Sequence, residues 1–81
     1  MSLFVARVGD IAGAAIADGA LTVTANGIPV ATMGSIVADG STIANGSSTV
    51  YVEGRPIARF GDVTTKGNTI ANGSPDVVAG G

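Results

Sequence analysis

Apolar and polar positions in this chain come in short bursts, and glycine interrupts every burst. β-Branched residues dominate between the glycines. That spacing disfavours helices and predicts strands. Thr22-Val23-Thr24-Ala25 and Thr49-Val50-Tyr51-Val52 are β-prone runs, each followed by a turn signal, Asn26-Gly27 or Glu53-Gly54. Asn-Gly supplies the positive φ angles of a primed hairpin turn. A return strand follows in each case, Ile28 to Met33 or Arg55 to Phe60. Its proline stands near the strand start, where a missing N–H is tolerated. Alternation puts Val50 and Val52 on one side and Tyr51 on the other.

The pattern repeats three times. Ala6-Arg7-Val8-Gly9-Asp10, Ala31-Thr32-Met33-Gly34-Ser35 and Ala58-Arg59-Phe60-Gly61-Asp62 open the units, which run over residues 6–30, 31–57 and 58–81. Ile16-Ala17-Asp18-Gly19, Ile43-Ala44-Asn45-Gly46 and Ile70-Ala71-Asn72-Gly73 follow in register. Val23, Val50 and Val77 are equivalent, and so are Val8, Met33 and Phe60. The last set differs in bulk, which suggests a packed centre where volumes must add up. Loops join the hairpins over 10–15, 35–42 and 62–69, the first shorter by two residues. The third unit stops where its hairpin should turn. The chain begins, however, with Leu3 to Asp10, a return strand lacking an outgoing partner. The expected fold is therefore all-β: three hairpins with internal pseudo-threefold symmetry, the third closed by the N- and C-terminal strands. The alternative is two frayed terminal strands. Deleting residues 2–8 should unfold a closed ring and merely trim a frayed one.

Composition narrows the picture further. At 81 residues the chain forms one domain, 1–81, near the size where a single core is marginally stabilising. With 13 Gly, no Trp, one Tyr and two Phe, the interior must be closely fitted Val, Ile, Leu, Met and Ala. The net charge of −2 and only four cations are not the footprint of a nucleic-acid binder. The N-terminus lacks the basic-then-apolar pattern of a signal peptide, and no run approaches transmembrane length. Synthesis and folding in a cytoplasm are the expectation.

Candidate chemistry is sparse. Cys and His are both absent, so there is no disulfide framework, thiolate nucleophile or imidazole base. Asp10, Asp39 and Asp62 are the loop carboxylates; a hard cation could use such oxygens, but Gly-Asp and Asp-Gly are ordinary turn formers. Ser47, Ser48 and Ser74 follow glycine-containing turns and, without His, read as turn residues. No phosphate-binding loop or calcium β-roll repeat is spelled. Arg7 and Arg59 are equivalent positions. Two readings stand for them: a rim that pairs with a partner, or a solvated strand face where ion pairs contribute little.

The ordered triple repeat resembles the PAAR-repeat family. Pro56-Ile57-Ala58-Arg59-Phe60-Gly61-Asp62 is similar to that family's Pro-Ala-Ala-Arg signature, and Pro29-Val30-Ala31-Thr32-Met33-Gly34-Ser35 is a weaker copy. Asn72-Gly73-Ser74-Pro75 resembles its Gly-Ser-Pro element. The resemblance covers essentially the whole chain. It implies a small cone whose base sits on a trimeric β-helical spike, one copy per trimer. Its vertex would be the membrane-piercing point of a contractile injection machine, a phage tail or a type VI secretion system. It implies a structural tip and no enzyme, located in a virion or secreted on a spike, with the target outer membrane as a transient partner. Family members often carry toxin extensions; the expectation here is a bare tip. They also typically hold zinc near the vertex through His and Cys of the connecting loops. These loops contain neither, so no cofactor or metal is expected. Ile11, Ile36 and Val63 are the candidates for an apolar plug in its place. Val23, Val50, Val77, Ile57, Arg7 and Arg59 are the candidates for spike docking. Two other classes compete: an adaptor linking cargo to the spike, and a short β-solenoid.

Overall fold

The computed structural model describes residues 3–20, 22–74 and 77–80. Six strands of two residues each make three antiparallel hairpins: β1 (Leu3–Phe4) with β6 (Val78–Ala79), β2 (Thr24–Ala25) with β3 (Ile28–Pro29), and β4 (Tyr51–Val52) with β5 (Arg55–Pro56). No helix occurs among the described residues. Asn26 and Gly27 have φ of 57° and 78°, and Glu53 and Gly54 have φ of 53° and 81°. Both central residues at positive φ define the primed turn that matches the right-handed twist of short strands. The third hairpin has the same register without a covalent tip. Leu3 opposite Ala79 stands where Ile28 faces Ala25 and Arg55 faces Val52. The terminal strands thus close the ring, as the surplus and missing segments imply. In the terminal segments, Met1, Ser2, Pro75, Asp76 and Gly81 lie outside the described residues.

The return strands are shorter ladders than the sequence suggests, because each changes partner part-way. From Pro29 onward the chain is shared: Val30 N–H still bonds Val23 C=O of its own hairpin, while the flanking Pro29 C=O and Ala31 N–H bond another segment, so that Val30 bridges to Arg7, and in the same way Ile57 to Thr32 and Val5 to Arg59. Each return strand is thereby stitched to the next, and the third back to the first. At the middle of the molecule the stitching becomes a closed triangle. Ala31 N–H donates to Ala6 C=O at 2.9 Å, Ala58 to Ala31 at 2.9 Å, and Ala6 to Ala58 at 3.0 Å. Three backbones converge there, so only a methyl side chain fits, and all three alanines are fully buried. This cyclic closure overturns the solenoid alternative, whose units would stack onward rather than return.

Two apolar clusters lie around the triangle. The loop-side cluster holds the three alanines, Ala12, Val37, and the identical trio Ile16, Ile43 and Ile70. The hairpin-side cluster holds Val5, Val30 and Ile57 with Ala25, Val52 and Ala79. Val8, Met33 and Phe60 are not the packed centre that their unequal volumes suggested. Met33 and Phe60 are exposed and Val8 is half-buried. They sit in tight turns, closed by Asp10 N–H to Arg7 C=O, Ser35 to Thr32 and Asp62 to Arg59, which swing them outward. With volume constraint relieved, their size is free to vary. Tyr51 is exposed and Val52 buried, as alternation requires. Gly46 marks one close approach: a Cβ there would lie 2.7 Å from Ile57 C=O, a clash with backbone that no rotamer relieves.

Candidate interaction faces

The three connecting loops meet at one end. Each is a narrow turn bridged near its base, Ile11 to Ala15, Ile36 to Thr42 and Val63 to Thr69. The second and third close through Gly40 N–H to Val37 C=O and Gly67 N–H to Thr64 C=O. The first is shorter, and the Asn68 side chain lies against Gly13, over the place a Cβ would fill. The loops also hold one another. Ala38 N–H donates to Ala15 C=O, Thr65 N–H to Thr42 C=O, and Lys66 Nζ reaches Asp39 C=O.

The plug expected at this end is corrected by one residue. Ile11 and Ile36 are 44% and 51% exposed, and Val63 is half-buried. The inward positions are the next ones along, Ala12, Val37 and Thr64, all buried. Strand-like backbone reverses side-chain direction at each step, so a one-residue offset exchanges the inner and outer faces. Ile11, Ile36 and Val63 thus form an outer apolar set around the loop end.

On the hairpin side, Val23 and Val77 are exposed and Val50 is half-buried against the hairpin-side cluster. Their carbonyls are equivalent acceptors, from Val30, Ile57 and Val5 N–H respectively. Ile57 does not join them. It is 5% exposed and belongs to the core, because it occupies the inward position shared with Val5 and Val30.

The arginines are also relocated. Arg59 is only 7% exposed, and its guanidinium grips Asp62 through Nε (3.2 Å) and Nη2 (3.0 Å) while reaching Gly80 C=O and Gly46 C=O. Asp62 Oδ2 also accepts Arg59 N–H at 2.8 Å. Arg7 repeats the arrangement, half-buried, with Asp10, Asn26 Oδ1 and Gly73 C=O. In the second unit a neutral pair takes the place: Thr32 N–H donates to Ser35 Oγ at 3.0 Å. Neither a docking rim nor a solvated strand face describes these arginines; they tie hairpin tips to neighbouring units. The turn reading of the aspartates holds for Asp10 and Asp62 but omitted this bond. The i, i+3 spacing of Arg and Asp across a glycine turn was the signal available for it.

Other loop polar groups are structural too. Ser47 Oγ is buried and accepts from Thr49 and Val50 N–H, and Ser74 Oγ accepts from Val77 N–H. The Ser41 hydroxyl and N–H both donate to Asp39 Oδ1 and hold its carboxyl below the usual aspartate range, with Lys66 assisting. No ligand-sized pocket opens among the described residues.

A family model described as the PAAR motif matches the sequence over residues 12–72 and again over residues 38–81. The chain belongs to the PAAR-motif family. Two overlapping matches offset by about one unit are what a repeated sequence produces. No curated protein matches it. PAAR-motif membership implies a spike-tip structural role in a contractile injection machine, and the family is structural rather than catalytic. The zinc site of the PAAR resemblance does not fit these residues. The sequence has no His or Cys, and the inward loop positions carry Ala12, Val37 and Thr64. Asp10 and Asp62 are committed to arginines, and no group of three acidic ligands converges among the described residues.

Proposed function

We propose that this protein is the non-enzymatic tip of a contractile injection machine, seated as one copy on a trimeric β-helical spike. The observation that carries the reading is the cyclic stitching of three similar units within one chain, with the PAAR-motif match beside it. A single chain with pseudo-threefold symmetry presents a similar patch to each of three identical spike chains. Val23, Val50 and Val77 on the hairpin side supply that patch, and the loop end is the point that meets the target outer membrane. Apolar burial contributes about 25 cal/mol per Å², less the cost of association, so a modest base can hold. Contraction then drives a small body, roughly isotropic at 25 × 24 × 24 Å, through the barrier. The protein travels in a virion tail or on a secreted spike.

Co-purification with a cognate spike followed by intact-complex mass measurement tests this. One copy per spike trimer is expected; three copies per trimer would falsify the symmetry argument. Val77→Asp should weaken docking while the free protein keeps its melting temperature, because Val77 is exposed. Ile57→Asp should instead prevent folding, because Ile57 is core. Capture of a separate cargo protein by the spike-bound chain would favour the adaptor reading.

A further inference from the structure

The loop end lacks metal ligands, yet its three loops are drawn together, so something else must fasten them. A repeated contact answers this. Asn72 Oδ1 accepts Ile11 N–H at 2.8 Å, Asn45 Oδ1 accepts Val63 N–H at 2.9 Å, and Asp18 Oδ1 accepts Ile36 N–H. At each seam the preceding residue donates to the carbonyl of the same partner. Ala71 N–H bonds Ile11 C=O at 2.7 Å, Ala44 bonds Val63 C=O at 2.8 Å, and Ala17 bonds Ile36 C=O at 2.7 Å. Both backbone groups of Ile11, Ile36 and Val63 are thereby taken by the neighbouring unit.

We propose that Asp18, Asn45 and Asn72 form a three-part clasp that fastens the loop end without a metal. The side-chain oxygen stands in for the carbonyl that a longer strand would offer. Short polar side chains of this kind commonly replace a main-chain partner where the backbone turns away. The clasp is cyclic: the first unit holds the second, the second holds the third, and the third holds the first. It also explains why Asp and Asn share the position. All that is required is an acceptor oxygen two bonds from Cβ, which both provide. Beneath it Ala12 and Val37 pack with Ile16, Ile43 and Ile70, closing the space with apolar atoms. This inference concerns the free chain and stands whether or not the protein docks on a spike.

Amide hydrogen exchange on the free, full-length protein tests it, beside thermal melts with and without EDTA. Asn45→Ala should lower protection of the Val63 amide about fivefold or more, leaving Ile11 and Ile36 amides as they are. Asn72→Ala should act on Ile11 alone, and Asp18→Ala on Ile36 alone. Asn45→Asp keeps the acceptor and should keep the protection. EDTA should change neither exchange nor melting. Unaltered Val63 protection in Asn45→Ala overturns the clasp, as does equal loss at all three amides. So does stoichiometric zinc whose removal lowers the melting temperature.

Discussion

At the scale of single residues, the buried ion pair is the sharpest test. Arg59 and Asp62 have side chains 8% and 5% exposed, and four acceptor atoms surround the guanidinium. Breaking such a pair from one side leaves an unpaired buried charge, which costs about 3–5 kcal/mol. Asp62→Ala should therefore destabilise severely in urea melts. The second unit shows what a neutral occupant looks like, Thr32 with Ser35. Arg59→Thr combined with Asp62→Ser should cost less than Asp62→Ala alone; a double variant worse than the single would contradict this account. Asp39 gives a pH-dependent test. Its carboxyl is held down chiefly by the Ser41 hydroxyl, then by Ser41 N–H, with Lys66 assisting against desolvation. A depressed folded pKa contributes stability above the ordinary aspartate range, lost as pH falls through the folded value. The contribution is small because the group is solvated. In an NMR titration, Ser41→Ala should move Asp39 back toward its ordinary value; no movement would assign the shift elsewhere. Turn chemistry of this sort was legible from Asp-Gly-Ser. The burial of Arg59 was not, because its exposure depends on two carbonyls from other parts of the chain, Gly46 and Gly80.

Among the elements, the two hairpins with covalent tips were readable from Asn26-Gly27 and Glu53-Gly54. Few residue pairs accept positive φ twice in succession, and these two do so. The length of the return strands was not readable. Alternation reports which side a residue faces and says nothing about which segment its backbone bonds. Val30, Ile57 and Val5 keep their N–H bonds to Val23, Val50 and Val77 and yet bridge to a second return strand, and that double pairing is made by ring closure. The same limit produced the one-residue error at the loop end, where Ala12, Val37 and Thr64 face inward in place of Ile11, Ile36 and Val63. The strand β1 carries a consequence of the switching. It pairs with β6, continues into Val5 of the hairpin-side core, and then supplies Ala6 to the central triangle. Removing residues 2–8 therefore takes away a hairpin strand, a core side chain and one corner of the triangle together. Circular dichroism should show loss of the cooperative melt. A truncated protein that melts at the parent temperature would return the segment to the status of a loose end.

For the whole molecule, the triangle of Ala6, Ala31 and Ala58 makes the three units interchangeable in their connections, though not in their surfaces. Flanking positions diverge: Phe4, Pro29 and Pro56 are equivalent, and so are Val78, Thr24 and Tyr51. The inner shell repeats because three backbones meet there, while solvent-facing positions carry no such constraint. This division is why the triple repeat was legible in the sequence and the burial of Ile57 and Arg59 was not. The connectivity has a direct consequence. Leu3 and Ala79 are paired as the residues flanking the other two hairpin tips are paired, and each of those tips spans two residues. An Asn-Gly link from Ala79 to Leu3 should therefore supply the missing turn, since that pair adopts positive φ in the first hairpin. The chain can then be opened elsewhere, between Glu53 and Gly54, to give a circular permutant with the same three hairpins. Opening that tip leaves the Val52 and Arg55 pairing and the central triangle in place; it breaks one exposed turn and loosens the Glu53 carboxylate that accepts from the Thr22 N–H and hydroxyl. Tolerance of such a cut follows from surface location and few lost contacts. The linked, uncut protein should melt above the parent, because joining the ends restricts the unfolded chain. The permutant should melt cooperatively near the parent temperature. A permutant that fails to fold, beside a linked protein that is stabilised, would mean that the second hairpin must form as a covalent unit and that the threefold equivalence is one of appearance only.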